Sequence, residues 1–567
     1  MNPSTIFHRP LSEYAFAMDD THYVFRLRTG KGEAQSCKFY YADRAIMTPE
    51  LEFFCVPMIK FREDLYFDWY EIRLETSFER IAYYFELFDG AHSLCYYGDC
   101  YEMVGTPTRA DYFQLPFNHR ADRLTIPEWT KDAIVYNIFP DSFANSKRAI
   151  CSNTDDSKAG LGGTIRGIAE NLDYIASMGF NCIYLNPIFA AESYHRYDTL
   201  DYYQIDPHMG TKDDLRDLVK KAHSLGIRVV LDGVFNHISS SHFLFRDVLQ
   251  HGMNSKYYSC FYQLPAQPRI PEPGAYPEYT CFSYVPNMPK TNTADPYLRQ
   301  YFCDVGTYWI REFDIDGWRL DVANELDDGF LRAFRSAVKA AKPDALIVGE
   351  VWENAAHYLN GDMLDSAMNY DFRRYCRRFF AEETVSAEVF DTNVSTLLLR
   401  YRENALYAQL NLLDSHDVSR YLTLCGQNTD KMELSVLLQM TVPGMPCVFY
   451  GDEKGLFGLC EKEYRQAMAW EKNHPLEDIY RRLITLRKAH SALRYGDFRT
   501  NFASGKTYSY SRTWENTRIT VTMNLGDVPI DAPQQGRLLL KKGENRDIIG
   551  AWEYEVREEQ IHGGDDL

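Results

Sequence analysis

Eight times between residues 133 and 453 the chain repeats one pattern: a short apolar run, a polar or helix-patterned stretch, then another apolar run. The runs are 133–139, 182–189, 228–235, 316–323, 346–352, 366–372, 408–414 and 446–453. Between them, "IRGIAENLDYIASMG", "KDDLRDLVKKAHSLG" and "FLRAFRSAVKAAK" space apolar residues for one face of a helix. Two of these stretches end in Gly, a common helix C-cap. Eight strand–helix units predict an α/β fold, a (β/α)8 TIM barrel. The gap between the third and fourth runs is the longest, and its Pro- and Tyr-rich segment, about 238–293, reads as a subdomain inserted on the face where barrel loops meet.

The flanks have a different rhythm. Before about residue 122, "HYVFRLRTG", "WYEIRLET" and "RIAYYFELFDG" alternate apolar and polar residues between Gly and Asp turns. That predicts an N-terminal β-sandwich over 1–122, then the barrel over 123–475. After one further helix, "TYSYSRTW", "RITVTMNL" and "GRLLLKK" predict a C-terminal β domain over 476–567.

A chain of 567 residues is too long for one core. Its net charge of −19, spread evenly, argues against nucleic acid or an anionic membrane surface as partner. No apolar run of about 18 residues suggests a membrane span. No basic segment followed by an apolar run opens the chain, so no signal peptide is expected. The 13 Cys are odd in number and several lie inside apolar runs, which suits reduced thiols and a cytoplasmic setting.

Active sites of such barrels gather at the C-terminal ends of the strands. The polar residues expected there are Tyr197, Asp232, Asn236, His237, Arg319, Asp321, Asn324, Glu325, Glu350, Trp352, His416, Asp417, Asp452 and Glu453. Arg319 and Asp321 are two apart on one run, so they share a face. Buried carboxylates are costly unless paired, so several converging on one mouth mark a site rather than a scaffold. One protonated and one ionised carboxyl are what glycoside hydrolysis requires. His223 and His490 fall on predicted helices and read as surface or packing residues.

The motifs "DGVFNH" (232–237), "GWRLDVANE" (317–325), "GEVW" (349–352) and "LLDSHD" (412–417) stand in order at four strand ends. In this the chain resembles the α-amylase superfamily, glycoside hydrolase family 13. "VANE", "MPKTNT" (288–293), "HRPLSEYAF" near the start and the N-terminal β domain are similar to its cyclomaltodextrinase, maltogenic amylase and neopullulanase subgroup. The resemblance implies Asp321 as nucleophile, Glu350 as general acid/base and Asp417 as the carboxylate that binds sugar hydroxyls. It implies Arg319 as the cation that keeps Asp321 ionised, Tyr197 as the platform under the sugar, and His237 and His416 as hydroxyl binders. Asn324, Glu325, Trp352 and Arg420 complete the substrate-binding set. The expected activity is retaining hydrolysis of α-1,4 bonds in cyclodextrins, maltodextrins and pullulan, with transglycosylation as a side reaction. A glucanotransferase, an α-1,6-acting hydrolase and a non-catalytic glucan binder are the alternatives.

The chain departs from the family pattern in places. Some members of the subgroup bind calcium after the first strand, but here the loop reads "FANSKRAICSN", with Lys147 and Arg148 where oxygen ligands belong, and Thr164 follows where Asp is common. Calcium needs several hard oxygen ligands, so no metal or other cofactor is expected there. Ser142, Thr291 and Glu353 also differ from the usual residues. The subgroup's habit of laying the N-terminal domain over a partner's active site implies a homodimer.

Overall fold

The computed structural model describes residues 1–47, 51–98, 100–102, 111–146, 148 and 160–561. All eight apolar runs form parallel strands: β1 (Val135–Ile138), β2 (Cys182–Leu185), β3 (Arg228–Gly233), β4 (Gly317–Leu320), β5 (Leu346–Gly349), β6 (Ser366–Ala367), β7 (Leu410–Leu412) and β8 (Met445–Phe449). They neighbour one another in the order β6-β5-β4-β3-β2-β1-β8-β7. A parallel bridge from Met368 to Leu410 joins the two edges and closes the barrel.

Alternation along these short strands sorts the side chains. Ile183, Leu185, Val229, Leu231, Trp318, Leu320 and Ile347 face outward into the large apolar cluster shared with the helices. Val135, Cys182, Tyr184, Val230, Val348, Leu412 and Cys447 form a separate inner cluster. Each such side chain contributes about 1.5–3 kcal/mol when fully buried. β4 is the exception inside. In register with Val230 and Asp232 of β3 it presents Gly317 and Arg319. A Cβ on Gly317 would lie 2.4 Å from the Leu346 carbonyl oxygen, so this position of β4 accepts no side chain.

The helices follow their signals. Thr211 and Asp214 form a reciprocal capping box for helix Lys212–Ser224, an arrangement that satisfies two orphan N–H groups. Gly179 ends helix Leu172–Met178 in a left-handed conformation. The sixth run is shorter than its sequence suggested. The Asn369 side chain accepts from the Phe372 N–H and starts helix Tyr370–Cys376, so only Ser366–Ala367 pair as strand.

The N-terminal region has two antiparallel sheets. Ala15–Ala17, His22–Gly30, Phe67–Glu75 and Ile59–Glu63 make one, and the other is built on Ser36–Asp43 and Ile81–Phe88. Tyr23, Phe25 and Leu27, two apart, meet Phe39, Tyr83 and Phe85 in a core of their own. The C-terminal sheet runs Arg499–Ser504, Thr507–Trp514, Thr517–Asn524, Glu553–Gln560 and Arg537–Lys542 in that order. Its Tyr508, Tyr510, Ile519 and Val521 extend the barrel's outer cluster. No helix among the described residues is long and apolar enough to cross a membrane.

The segment between β3 and β4 folds back over the strand ends. Lys290 forms an isolated bridge with His237. Its Nζ donates to the Asn236 amide oxygen and to the Glu325 carbonyl oxygen.

Candidate active site

Arg319 organises the site from inside the barrel. It is 1% exposed. Its Nη1 donates to both Asp232 oxygens at 2.9 and 3.0 Å and to Asp321 Oδ1 at 2.8 Å. Its Nη2 lies 2.9 Å from Glu350 Oε2. One guanidinium from β4 thus meets carboxyls from β3, from just past β4 and from just past β5. Asp232 also accepts from the hydroxyls of Tyr184 and Tyr197 at 2.8 and 3.0 Å.

The chain turns sharply after Asp321. Val322 is left-handed, with φ 45° and ψ 47°. For a β-branched residue that costs about 1–2 kcal/mol, and such strain collects at functional sites. Here it aims the Val322 N–H at Glu350 Oε2, 3.0 Å away. Trp352 Nε1 donates to the other Glu350 oxygen at 3.0 Å. The Trp352 ring lies parallel to Tyr370 at 3.9 Å, a stack of the kind that contributes about 0.5–1.5 kcal/mol beyond area burial.

Across the mouth, Asp417 sits 2.9 Å from His416 Nε2 and accepts from Arg465 Nη2 at 3.1 Å. Burial alone would raise its pKa. The charge and hydrogen bond of His416, with Arg465 and Arg319, outweigh that and hold it well below the carboxylate range. Asp321 shows the opposite balance. Arg319 pulls its pKa down, as expected, but burial first, then Glu350, Asp232 and Asp417, push it well above the usual value. Four carboxyls face two guanidiniums here, so protons belong to the cluster rather than to one residue. His237 is pushed down to about 3, by burial first and then by Lys290, so it is neutral. Its Nε2 is buried without a partner, a free donor or acceptor beside the cavity.

A cavity of about 580 Å³ opens over these groups. Tyr197, His237, Asp321, Asn324, Glu325, Glu350, Trp352 and Asp417 line it. Arg319 is directly behind, and the His416 ring stacks parallel to Tyr197 at 5.4 Å. Asn324 donates to Glu353 Oε1. The following helix, Asp328–Ala341, is capped by Asp327, which leaves Asn324 and Glu325 free of that task. A wider cavity of about 1090 Å³ in the seam between the N-terminal sheets and the barrel lacks any such convergence of carboxyls.

Arg420 is the exception among the expected substrate-binding residues. It is fully buried away from the cavity, donating to Asp452 Oδ1 and to the carbonyl oxygens of Tyr450 and Tyr464. The short helix Tyr421–Leu424 begins just after it, so its side chain fastens the eighth loop instead of reaching a sugar. Asp452 and Glu453 likewise shape that loop, Glu453 accepting from the hydroxyls of Tyr136 and Tyr174. The lining also holds Phe282, Val285, Met288, Glu461 and Arg465, which sequence reasoning missed. The first three belong to the insertion. The last two lie beyond β8 with no motif to mark them. Of the loop considered for calcium, Lys147 and residues 149–159 lie outside the described residues. Arg148 donates to Asn171 Oδ1 at 2.6 Å and covers the Trp470 ring at 4.4 Å.

Paired carboxyls gripped by one guanidinium at the C-terminal mouth of a (β/α)8 barrel define a glycoside hydrolase. The match to known proteins agrees. Residues 137–475 match the family model for the α-amylase catalytic domain, and residues 1–119 match that for the α-amylase N-terminal Ig-like domain. The chain belongs to the α-amylase family. It is 40% identical to a cyclomaltodextrinase of Geobacillus thermopakistaniensis over 96% of both chains. It is 39% identical to neopullulanase 2 of Thermoactinomyces vulgaris over 92% of this chain and 90% of that one. A solved cyclomaltodextrinase structure superposes with a TM-score of 0.90 at 34% identity, covering 99% of this chain and 98% of the other.

Proposed function

We propose that the protein is a retaining hydrolase of α-1,4-glucosidic bonds, acting on cyclodextrins, maltodextrins and pullulan, with transfer to a sugar acceptor as a side reaction. The observation that carries it is the Arg319 grip on Asp321 and Glu350 with Asp417 opposite. Asp321 attacks the anomeric carbon while Glu350 gives its proton to the departing glycosidic oxygen. Glu350 then takes a proton from water as that water releases the sugar from Asp321. Retention needs carboxyls roughly 5–5.5 Å apart, and two carboxyls held by neighbouring nitrogens of one guanidinium cannot drift far from each other. Asp417 and the neutral His237 receive ring hydroxyls, and Tyr197 carries the ring. Trp352, Asn324 and Glu325 form the acceptor side, where Trp352 is 46% exposed.

The chain acts as a homodimer in the cytoplasm, without a membrane or nucleic-acid partner. Buried, unpaired thiols such as Cys182, Cys303 and Cys447 support a reducing setting. The test is product chromatography on β-cyclodextrin, pullulan and soluble starch in parallel. Fast opening of β-cyclodextrin to maltose and glucose with starch slow is the expected result. Starch fastest, or no substrate cleaved, would overturn it.

A further inference from the structure

Arg196 stands between His195 and Tyr197, both of which line the cavity, yet its own side chain turns inward and is 4% exposed. Its backbone is left-handed, with φ 61°, uncommon for any residue but Gly. The guanidinium donates to the Tyr194 carbonyl oxygen, and its Nε lies 3.5 Å from Asp206 Oδ2. Burial lowers its pKa, and Asp206, Asp141 and Asp198, all nearly completely buried, offset that only in part. These carboxylates come from three places. Asp141 lies in the short helix Pro140–Phe143 after β1 and accepts from the Leu161 N–H at 2.6 Å. Asp198 ties its own loop by accepting from the Ser193 N–H and hydroxyl. Asp206 follows strand Thr199–Ile205.

The segment needs such a tie. Its own backbone hydrogen bonds are local: Arg196 N–H to the Ser193 carbonyl and Tyr197 N–H to His195 Nδ1. A buried cation beside a buried carboxylate is held more firmly than one at the surface, because removing it strands the partner's charge. We propose that Arg196 is the positioning residue of the sugar platform, a buried guanidinium that fastens the His195–Tyr197 segment to Asp206 at the end of strand Thr199–Ile205 and so holds the Tyr197 ring against His416. This rests on the glucan-hydrolase reading, in which Tyr197 carries the sugar.

The test compares wild type with Arg196→Ala, Arg196→Lys and Asp206→Asn on β-cyclodextrin and maltotriose, with circular dichroism to confirm folding. The expected result for Arg196→Ala is a KM raised at least tenfold, partly restored by low-millimolar guanidinium chloride. That salt leaves wild type unchanged. Should Arg196→Ala not fold, Arg196→Lys and Asp206→Asn decide, each expected to raise KM at least threefold with kcat within twofold. KM within twofold of wild type in the folded variants would overturn the proposal, as would a kcat loss without a KM change. A wild type inactive on every glucan would instead overturn the functional reading beneath it.

Discussion

Two aspartates bracket β4, five residues apart and both buried, and they behave in opposite ways. Asp316, before the strand, accepts from His223 Nε2 at 2.7 Å, Arg228 Nη1 at 2.9 Å, Lys342 Nζ at 2.9 Å and the Val229 N–H at 2.8 Å. Among the described residues Asp321, after it, accepts from Arg319 alone, at 2.8 Å, and shares that guanidinium with Asp232 and Glu350. Burial raises the pKa of both. Four donors overcome it at Asp316, which is held well below the carboxylate range, and one shared donor does not at Asp321. The lesson is that burial does not separate a fastening from a reagent. Between these two the number of charged donors does: Asp316 has three cations on it, and Asp321 has a share of one.

The strongest way to break the contrast is Asp321→Asn. If Asp321 is the nucleophile, turnover of β-cyclodextrin falls on the order of 10⁴-fold or more, while the melting temperature at neutral pH does not fall. Residual activity above a hundredth of wild type would end the assignment. Asp316→Asn should show the reverse. It leaves His223, Arg228 and Lys342 facing a neutral amide. Breaking a fully buried pair costs about 3–5 kcal/mol, and these partners reach solvent, so about 2–3 kcal/mol is expected. Denaturant unfolding measures it, and activity per folded molecule should stay within twofold.

The contrast also marks what the sequence could tell. Eight apolar runs gave the barrel because a parallel strand must be apolar on both faces, and that leaves a trace no other segment imitates. The carboxyls at strand ends were legible for the same reason: Glu350 ends a run that is otherwise apolar, and Asp321 stands with Arg319 on one face of a run, with an apolar residue between them. Donor counts were not legible. His223, read as a surface or packing residue, is one of the four groups that quiet Asp316, and its partner lies 93 positions away. Arg465 escaped notice because it reaches Asp417 from a loop 48 residues on. Arg420 was placed by the family resemblance, which carries no information on where its side chain turns. The chain instead turns into a helix after it and buries the guanidinium on Asp452.

A pH series sharpens the comparison with a smaller effect. Asp316 has a depressed pKa in the folded state, so its contribution is complete above the unfolded aspartate value of about 3.9 and is lost as pH falls below it. Asp321 has a raised one, so the folded state gains stability as pH drops and Asp321 takes up a proton. Asp316→Asn should therefore lose most at pH 6–7, with a deficit that begins to shrink only below about pH 4 and persists in part at pH 3. Asp321→Asn should be at least as stable as wild type at pH 7 and lose that margin in acid. Parallel melting curves for both variants from pH 7 to pH 3 check the sign, and curves shifting the same way would undo the contrast.

The smallest expected effect concerns whether side chains supply all the positive charge these carboxylates need. Arg319 and Arg465 serve the catalytic cluster, and Arg196 serves Asp141, Asp198 and Asp206. In the loop after β1, Arg148 sets a guanidinium against Asn171 and Trp470 close to where related loops supply oxygen ligands. A divalent ion beside that guanidinium would be repelled at close range, by an amount that only several hard oxygen ligands could offset. EDTA treatment followed by gel filtration should therefore leave kcat, KM and the melting temperature unchanged. A drop in melting temperature reversed by added calcium would mean that a bound ion shares the task, and the comparison between the two ends of β4 would have to include it.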